Sequence, residues 1–264
     1  MKKTALLFIA ILLIPLAFTA PSLAVDNNNA RAVSVSRAGP PVGGDDGTTD
    51  LTSGGENITG NRYAVVIGIS DYSGDSSDLK YADDDAMDWY KYLTDHGYTV
   101  KLLLNDNATK QNILDALQWL VDVEKPGDGV VITYSGHGYY SRRDKISMII
   151  SWELTGVTSD EVKAITDKIE TQHVYFFDDA CNQGTFRDLA RPGWLLAIGS
   201  QETTYTYDGD DTMQNGIFTY YAMEALYKPM YIMEDVTQYA IEHFEADTPG
   251  DAFMVDLYTG DFYL

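Results

Sequence analysis

Val130-Val131-Ile132-Thr133-Tyr134 is an apolar, β-branched run that leads directly into Ser135-Gly136-His137-Gly138. A second run, Val174-Tyr175-Phe176-Phe177, leads into Asp178-Asp179-Ala180-Cys181. Short continuous apolar runs read as strands buried on both faces, the kind that build parallel sheets. Each run carries a chemically active side chain toward the surface, His137 three residues past Tyr134 and Cys181 four past Phe177. In doubly covered parallel sheets, sites form beyond the carboxyl ends of the strands. If these two strands are neighbours, thiol and imidazole face one cleft.

The flanking pattern agrees with this reading. Residues 63–69 form an apolar strand and residues 99–104 a second one. Between them residues 83–96 make a helix that ends at Gly97. Thr109 is placed to cap a helix striped by Ile113, Leu117 and Leu120, and Pro126-Gly127-Asp128-Gly129 turns the chain into the Val130 strand. Further strands are expected at 146–151, 194–199 and 252–258, and helices at 160–170, 217–227 and 233–244. Strands alternating with amphipathic helices predict an α/β domain over residues 61–264, with a mostly parallel sheet between helical layers.

The first 60 residues read differently. Lys2 and Lys3, the apolar stretch from Leu6 to Leu16 and the small residues ending at Ala24 have the form of a secretory signal over residues 1–24. Its apolar core is short for a span of about 20 residues, so a secreted or extracytoplasmic protein is expected, anchored only if the signal stays uncleaved. Residues 25–60 are rich in Asn, Gly, Asp, Ser and Thr and read as a flexible linker or pro-segment. The formal charge of −22 argues against nucleic acid and stable membrane partners and favours cations and basic peptides.

Cys181 is the sole cysteine, so in an exported chain it pairs between chains, stays idle or reacts. A free thiol is a few per cent thiolate at neutral pH, and an adjacent imidazole can lower its pKa and act as general acid and base. Gly136 and Gly138 permit tight turns beside His137, and the amides of Gly138 and Cys181 are placed to converge on an oxyanion. His96, His173 and His243 lack this strand-end setting, and no His or Cys pair has metal-ligand spacing. The loop Asp208-Gly209-Asp210-Asp211 offers oxygen ligands for calcium but lacks EF-hand spacing, and a solvated turn is its plainer reading.

Ser135-Gly136-His137-Gly138 and Asp179-Ala180-Cys181 with Gly184 resemble the catalytic blocks of the caspase, metacaspase and paracaspase cysteine peptidases. Residues 63–69 resemble the family's first strand and residues 79–86 the segment opening its first helix, with Asp84 where an asparagine is usual. Gly216-Ile217-Phe218-Thr219 resembles its closing block. The likeness covers residues 61–228 and implies a caspase-like three-layer α/β/α sandwich. In it Cys181 attacks the peptide carbonyl, His137 protonates the leaving amine, and the Gly138 and Cys181 amides hold the oxyanion. Asp85 and Asp179 match the acidic S1 positions of metacaspases, which implies cleavage after Arg or Lys. Some metacaspases need calcium, so calcium is carried as an activator, with no cofactor required. Asn182-Gln183-Gly184 departs from the usual His-Ser-Gly. Arg31, Arg37, Arg142, Arg143 and Lys145 are then candidate self-processing sites. A legumain- or clostripain-like peptidase or ligase, and a non-catalytic caspase-like binding module, are the alternatives.

Overall fold

The computed structural model describes residues 58–228 and 230–264. The signal over 1–24, residues 25–57 of the expected flexible segment, and Arg31 and Arg37 lie outside the described residues. The last residues of that segment, 58–60, already belong to the domain. The amides of Thr59 and Gly60 both donate to the Gly127 carbonyl at 3.0 Å.

Among the described residues the strands are β1 (Arg62–Gly68), β2 (Thr99–Leu104), β3 (Gly129–Gly136), β4 (Gly138–Ser141), β5 (Ile146–Ile150), β6 (Gly156–Thr158), β7 (Val174–Ala180), β8 (Trp194–Ile198) and β9 (Phe253–Asp256). The helices are α1 (Ala82–Asp95), α2 (Lys110–Val123), α3 (Ser159–Thr166), α4 (Ile217–Tyr227) and α5 (Met233–Asp247). The main sheet runs β2-β1-β3-β7-β8-β9, parallel except for β9, which pairs antiparallel to β8. This is the α/β class expected, a mostly parallel sheet between helices. The neighbours β3 and β7 are the two runs that end in the His and Cys blocks.

Period-two alternation divides the sheet's side chains between two cores. Val131, Tyr175 and Phe177 pack with Trp89 of α1 and Phe218 of α4 on one face. Ile132, Tyr134 and Phe176 pack with Leu117 of α2, Val162 of α3 and Ile149 of β5 on the other. Phe177 and Phe218 stack with ring centres 4.9 Å apart, and Trp89 lies 5.0 Å from Phe177. Fully burying side chains of this size contributes on the order of 2–3 kcal/mol each, so α1 and α4 are firmly seated over the ends of β3 and β7. Thr109 caps α2 by accepting from the Asn112 amide, as expected, and Thr158 with Glu161 forms a capping box at α3.

Three local expectations change. The helix expected over 160–170 begins at Ser159 and ends at Thr166, because Ile169 is turned into the core by the loop leading to β7. The second helix of the closing region extends to Asp247 rather than stopping at Phe244. β4 and β6 had no expected counterpart. They flank β5 in a separate antiparallel sheet, and at four and three residues they are too short to declare a period.

Candidate active site

Both strands run further than their apolar stretches. β3 continues to Gly136 and β7 to Ala180, with Gly136 opposite Ala180. His137 and Cys181 are therefore each the first residue beyond a paired strand end. They line one cavity of about 60 Å³ together with Asp85, Ser135, Asp179 and Asp208, room for a few waters.

The two blocks touch through their backbones. A β carbon at Gly138 would fall 1.9 Å from the Cys181 carbonyl oxygen and 2.1 Å from Gln183 Nε2. Only glycine allows the histidine loop to lie so close to the thiol loop. The Cys181 carbonyl is held by Gln183 Nε2 at 2.7 Å, and the same amide donates to the Met148 carbonyl at 3.0 Å. Asn182 adopts a left-handed conformation at φ +64°, a region asparagine tolerates better than most residues. Its backbone amide donates to Thr204 O at 3.0 Å and its side-chain amide to Thr204 O at 3.1 Å and Glu202 O at 3.2 Å. Asn182 and Gln183, the departures from the usual pattern, thus hold the turn after the thiol in place.

His137 Nε2 lies 2.7 Å from the Ser77 carbonyl. A carbonyl only accepts, so Nε2 carries the proton and Nδ1 of the neutral ring is the basic nitrogen. The thiol does not engage it at rest, since Cys181 Sγ donates to the Thr206 carbonyl at 3.6 Å. Burial raises the thiol's pKa, Thr206 works against that rise, and the nearby Asp179 and Asp178 add to it. These effects favour the neutral thiol, because a buried anion beside carboxyl groups is costly.

Alternation also assembles the acidic side of the cavity. Ser135 and Asp179 are register partners on the face covered by α1 and α4, so they point toward Asp85 in the first turn of α1. Ser135 Oγ donates to Asp85 Oδ2 at 2.5 Å and the Gly216 amide to Asp85 Oδ1 at 2.8 Å. Asp179 Oδ2 accepts from the amide and the hydroxyl of Thr219 at 3.0 and 2.8 Å. A β carbon at Gly216 would lie 2.5 Å from Asp179 Oδ2 and 2.9 Å from Asp85 Oδ2, so both carboxyls crowd the same glycine. Burial first, and the Asp179 charge second, push Asp85 well above the usual carboxylate range. Burial pushes Asp179 up to about 6 against its Thr219 hydrogen bonds. Burial thus keeps this acidic pair protonated to higher pH than exposed aspartates.

The structure brings His137, Gly138, Cys181, Asp85 and Asp179 together at this one place. Ser135 and Asp208 were missed. The strand period could have revealed Ser135, which shares a face with Thr133. Nothing local marks Asp208, the only residue of the acidic loop 208–211 to line the cavity. Asp210 instead accepts from the Thr212 and Met213 amides, and Asp211 pairs with Lys80 and the Tyr81 hydroxyl. Among the described residues no group of three or more His, Cys, Asp or Glu side chains is placed to hold a metal ion. His96 and His243 bond to carbonyls within their own helices, and His173 bonds to the Tyr263 carbonyl.

Comparison with known proteins gives the family and the fold. Residues 61–241 match the family described as Caspase domain. Metacaspase-1 of Saccharomyces cerevisiae is 29% identical over 181 residues, covering 60% of this chain and 42% of that protein. Metacaspase-1 of Scheffersomyces stipitis is 33% identical over 158 residues, covering 50% and 38%. The chain thus spans about two fifths of the length of the curated relatives it matches. A Geobacter sulfurreducens protein of known crystal structure superposes with a TM-score of 0.61 over 76% of this chain and 95% of that one, at 17% identity, a likeness of fold.

Proposed function

This chain belongs to the caspase domain family, and from that membership we propose that it is a cysteine endopeptidase cutting after Arg or Lys. The observation that carries the proposal is one cavity lined by a thiol, an imidazole and three carboxyl groups, Asp85, Asp179 and Asp208. A P1 guanidinium or ammonium entering it meets buried oxygens, and charge-assisted hydrogen bonds there are the strong kind. Its positive charge also offsets the carboxylates that disfavour the thiolate, so correct substrate favours ionisation of the sulfur that will attack it.

The steps follow from the placement. Cys181 turns from Thr206 O toward His137 and gives its proton to Nδ1. The thiolate adds to the scissile carbonyl, whose oxygen takes the negative charge and is received by the Gly138 and Cys181 amides. The imidazolium, steadied at Nε2 by Ser77 O, returns the proton to the leaving amine, and the C–N bond breaks. Water then attacks the thioester with His137 as base, releasing the acid and the thiol.

Proteins or peptides with basic residues are the proposed substrates, and the signal-like sequence of residues 1–24 supports a proposed location outside the cytoplasm. The test is turnover of a peptidyl-arginine fluorogenic substrate by wild type, Cys181→Ala and His137→Ala, with and without calcium. Iodoacetamide-sensitive turnover lost in both variants supports the reading. Turnover that survives Cys181→Ala refutes it, and inertness toward Arg, Lys, Asn and Asp substrates favours a binding module.

A further inference from the structure

Beneath the histidine loop lies a pair of buried tyrosine hydroxyls that the proposed reaction does not use. Tyr72, from the loop after β1, and Tyr134, from β3, are 2% and 1% exposed. The His137 amide donates to the Tyr72 hydroxyl at 2.7 Å, and the Tyr134 hydroxyl donates to the His137 carbonyl at 2.7 Å. One residue is thereby gripped at both of its peptide groups. The Tyr72 ring also lies against the imidazole, with centres 4.8 Å apart and planes tilted by 34°. Gly136 owes its lack of a side chain to this arrangement, since a β carbon there would fall 2.7 Å from each hydroxyl.

We propose that Tyr72 and Tyr134 are positioning residues for His137, clamping its backbone and ring so that Nε2 meets Ser77 O and Nδ1 is presented to the thiol. Both ends of the clamp are anchored independently of the imidazole. The Tyr72 amide donates to Asp78 Oδ1 at 3.0 Å, and Tyr134 Oη also lies 3.0 Å from the Ile150 carbonyl of β5. The His137 carbonyl also accepts from the Ile150 amide of β5 at 3.0 Å, so the two hydroxyls add to a restraint that β5 begins. A displacement of about 1 Å costs on the order of 100-fold in a proton-transfer step. Cys181, Asp85, Asp179 and Asp208 line the same cavity as His137.

The proposal rests on His137 acting as the base, and the experiment separates the two claims. In the full chain, Tyr72→Phe and Tyr134→Phe keep the rings and remove one hydroxyl each. Each is expected to lower kcat per titrated thiol about tenfold on a peptidyl-arginine substrate, with KM within twofold. The pH midpoint of Cys181 alkylation by iodoacetamide should move toward that of His137→Ala. Wild-type kcat per active site and an unshifted midpoint in either folded Phe variant overturn the clamp, even if thermal stability falls. If His137→Ala itself matches wild type, the catalytic reading fails instead. In the unsubstituted protein the His137 amide should exchange with deuterated water far more slowly than a free peptide, and exchange at the free-peptide rate overturns the clamp without any variant.

Discussion

Replacing Asp179 by asparagine should make the protein more stable and the enzyme worse, and the structure sets the size of both effects. Asp179 is buried, and its ionised form is disfavoured until the pH passes about 6. In the unfolded chain an aspartate ionises near 3.9. Between those values the folded state holds a proton that the unfolded state has released, so stability falls as pH rises through the window. A difference of about two pKa units amounts to a cost on the order of 3 kcal/mol, fully present at pH 8 and absent below pH 4. Asparagine removes that cost and retains an oxygen for both Thr219 donors. For a domain of this size each kcal/mol is roughly 2–4 °C in Tm. Scanning calorimetry should therefore show Asp179→Asn melting up to about 10 °C above wild type at pH 8, with the gap closing by pH 4.

Activity should move the other way. Losing one charge-assisted hydrogen bond to a P1 arginine removes about 1.5–3 kcal/mol, roughly a 10- to 150-fold drop in kcat/KM. Most of it should appear in KM, because the contact forms on binding. An Asn variant that melts lower at pH 8 would show that Asp179 is a structural anchor. One that cleaves arginine substrates as well as wild type would show that it is not part of the pocket.

The same acidic pair makes KM for arginine substrates fall as pH rises from 5 to 8, since Asp85 and Asp179 are both raised and each receives a cation better once ionised; a KM flat across that range in a steady-state pH series would contradict it. Asp178→Asn should raise Tm at pH 8 and leave turnover within about twofold, because this fully buried carboxyl, its pKa driven well up by burial, has no hydrogen-bond partner for either oxygen among the described residues. A lower melting temperature for that variant would expose a partner this account lacks. Gly138→Ala should abolish turnover while Cys181 still alkylates, as the new β carbon forces the histidine loop off the Cys181 carbonyl; wild-type kcat there would rule out the tight approach of the two loops.

Asp178 and Asp179 are chemically identical neighbours in the sequence, and nothing local separates their fates. Strand period two does. Asp179 shares its face with Phe177 and reaches Asp85 under α1, whereas Asp178 shares its face with Tyr134 and is enclosed without a partner. What was legible in the chain followed this kind of short-range rule, as with the apolar runs that became β3 and β7 and the Thr109 cap. What was not legible depends on distant segments converging. Asp208 reaches the cavity only because its loop folds back beside Gly216, and the raised thiol pKa follows from burial, with Asp179 and Asp178 adding to it. The tyrosine clamp needs the loop after β1 to lie under a histidine 65 residues later. Because register decides which face each residue takes, inserting a single residue into β7 ahead of Asp178 would exchange the environments of the two aspartates. Asp178 would then stand opposite Asp85 in place of Asp179, with Asp179 turned to the face of Tyr134 and the Cys block carried one place out of register with His137. Specificity in this site is therefore a property of register as much as of residue type.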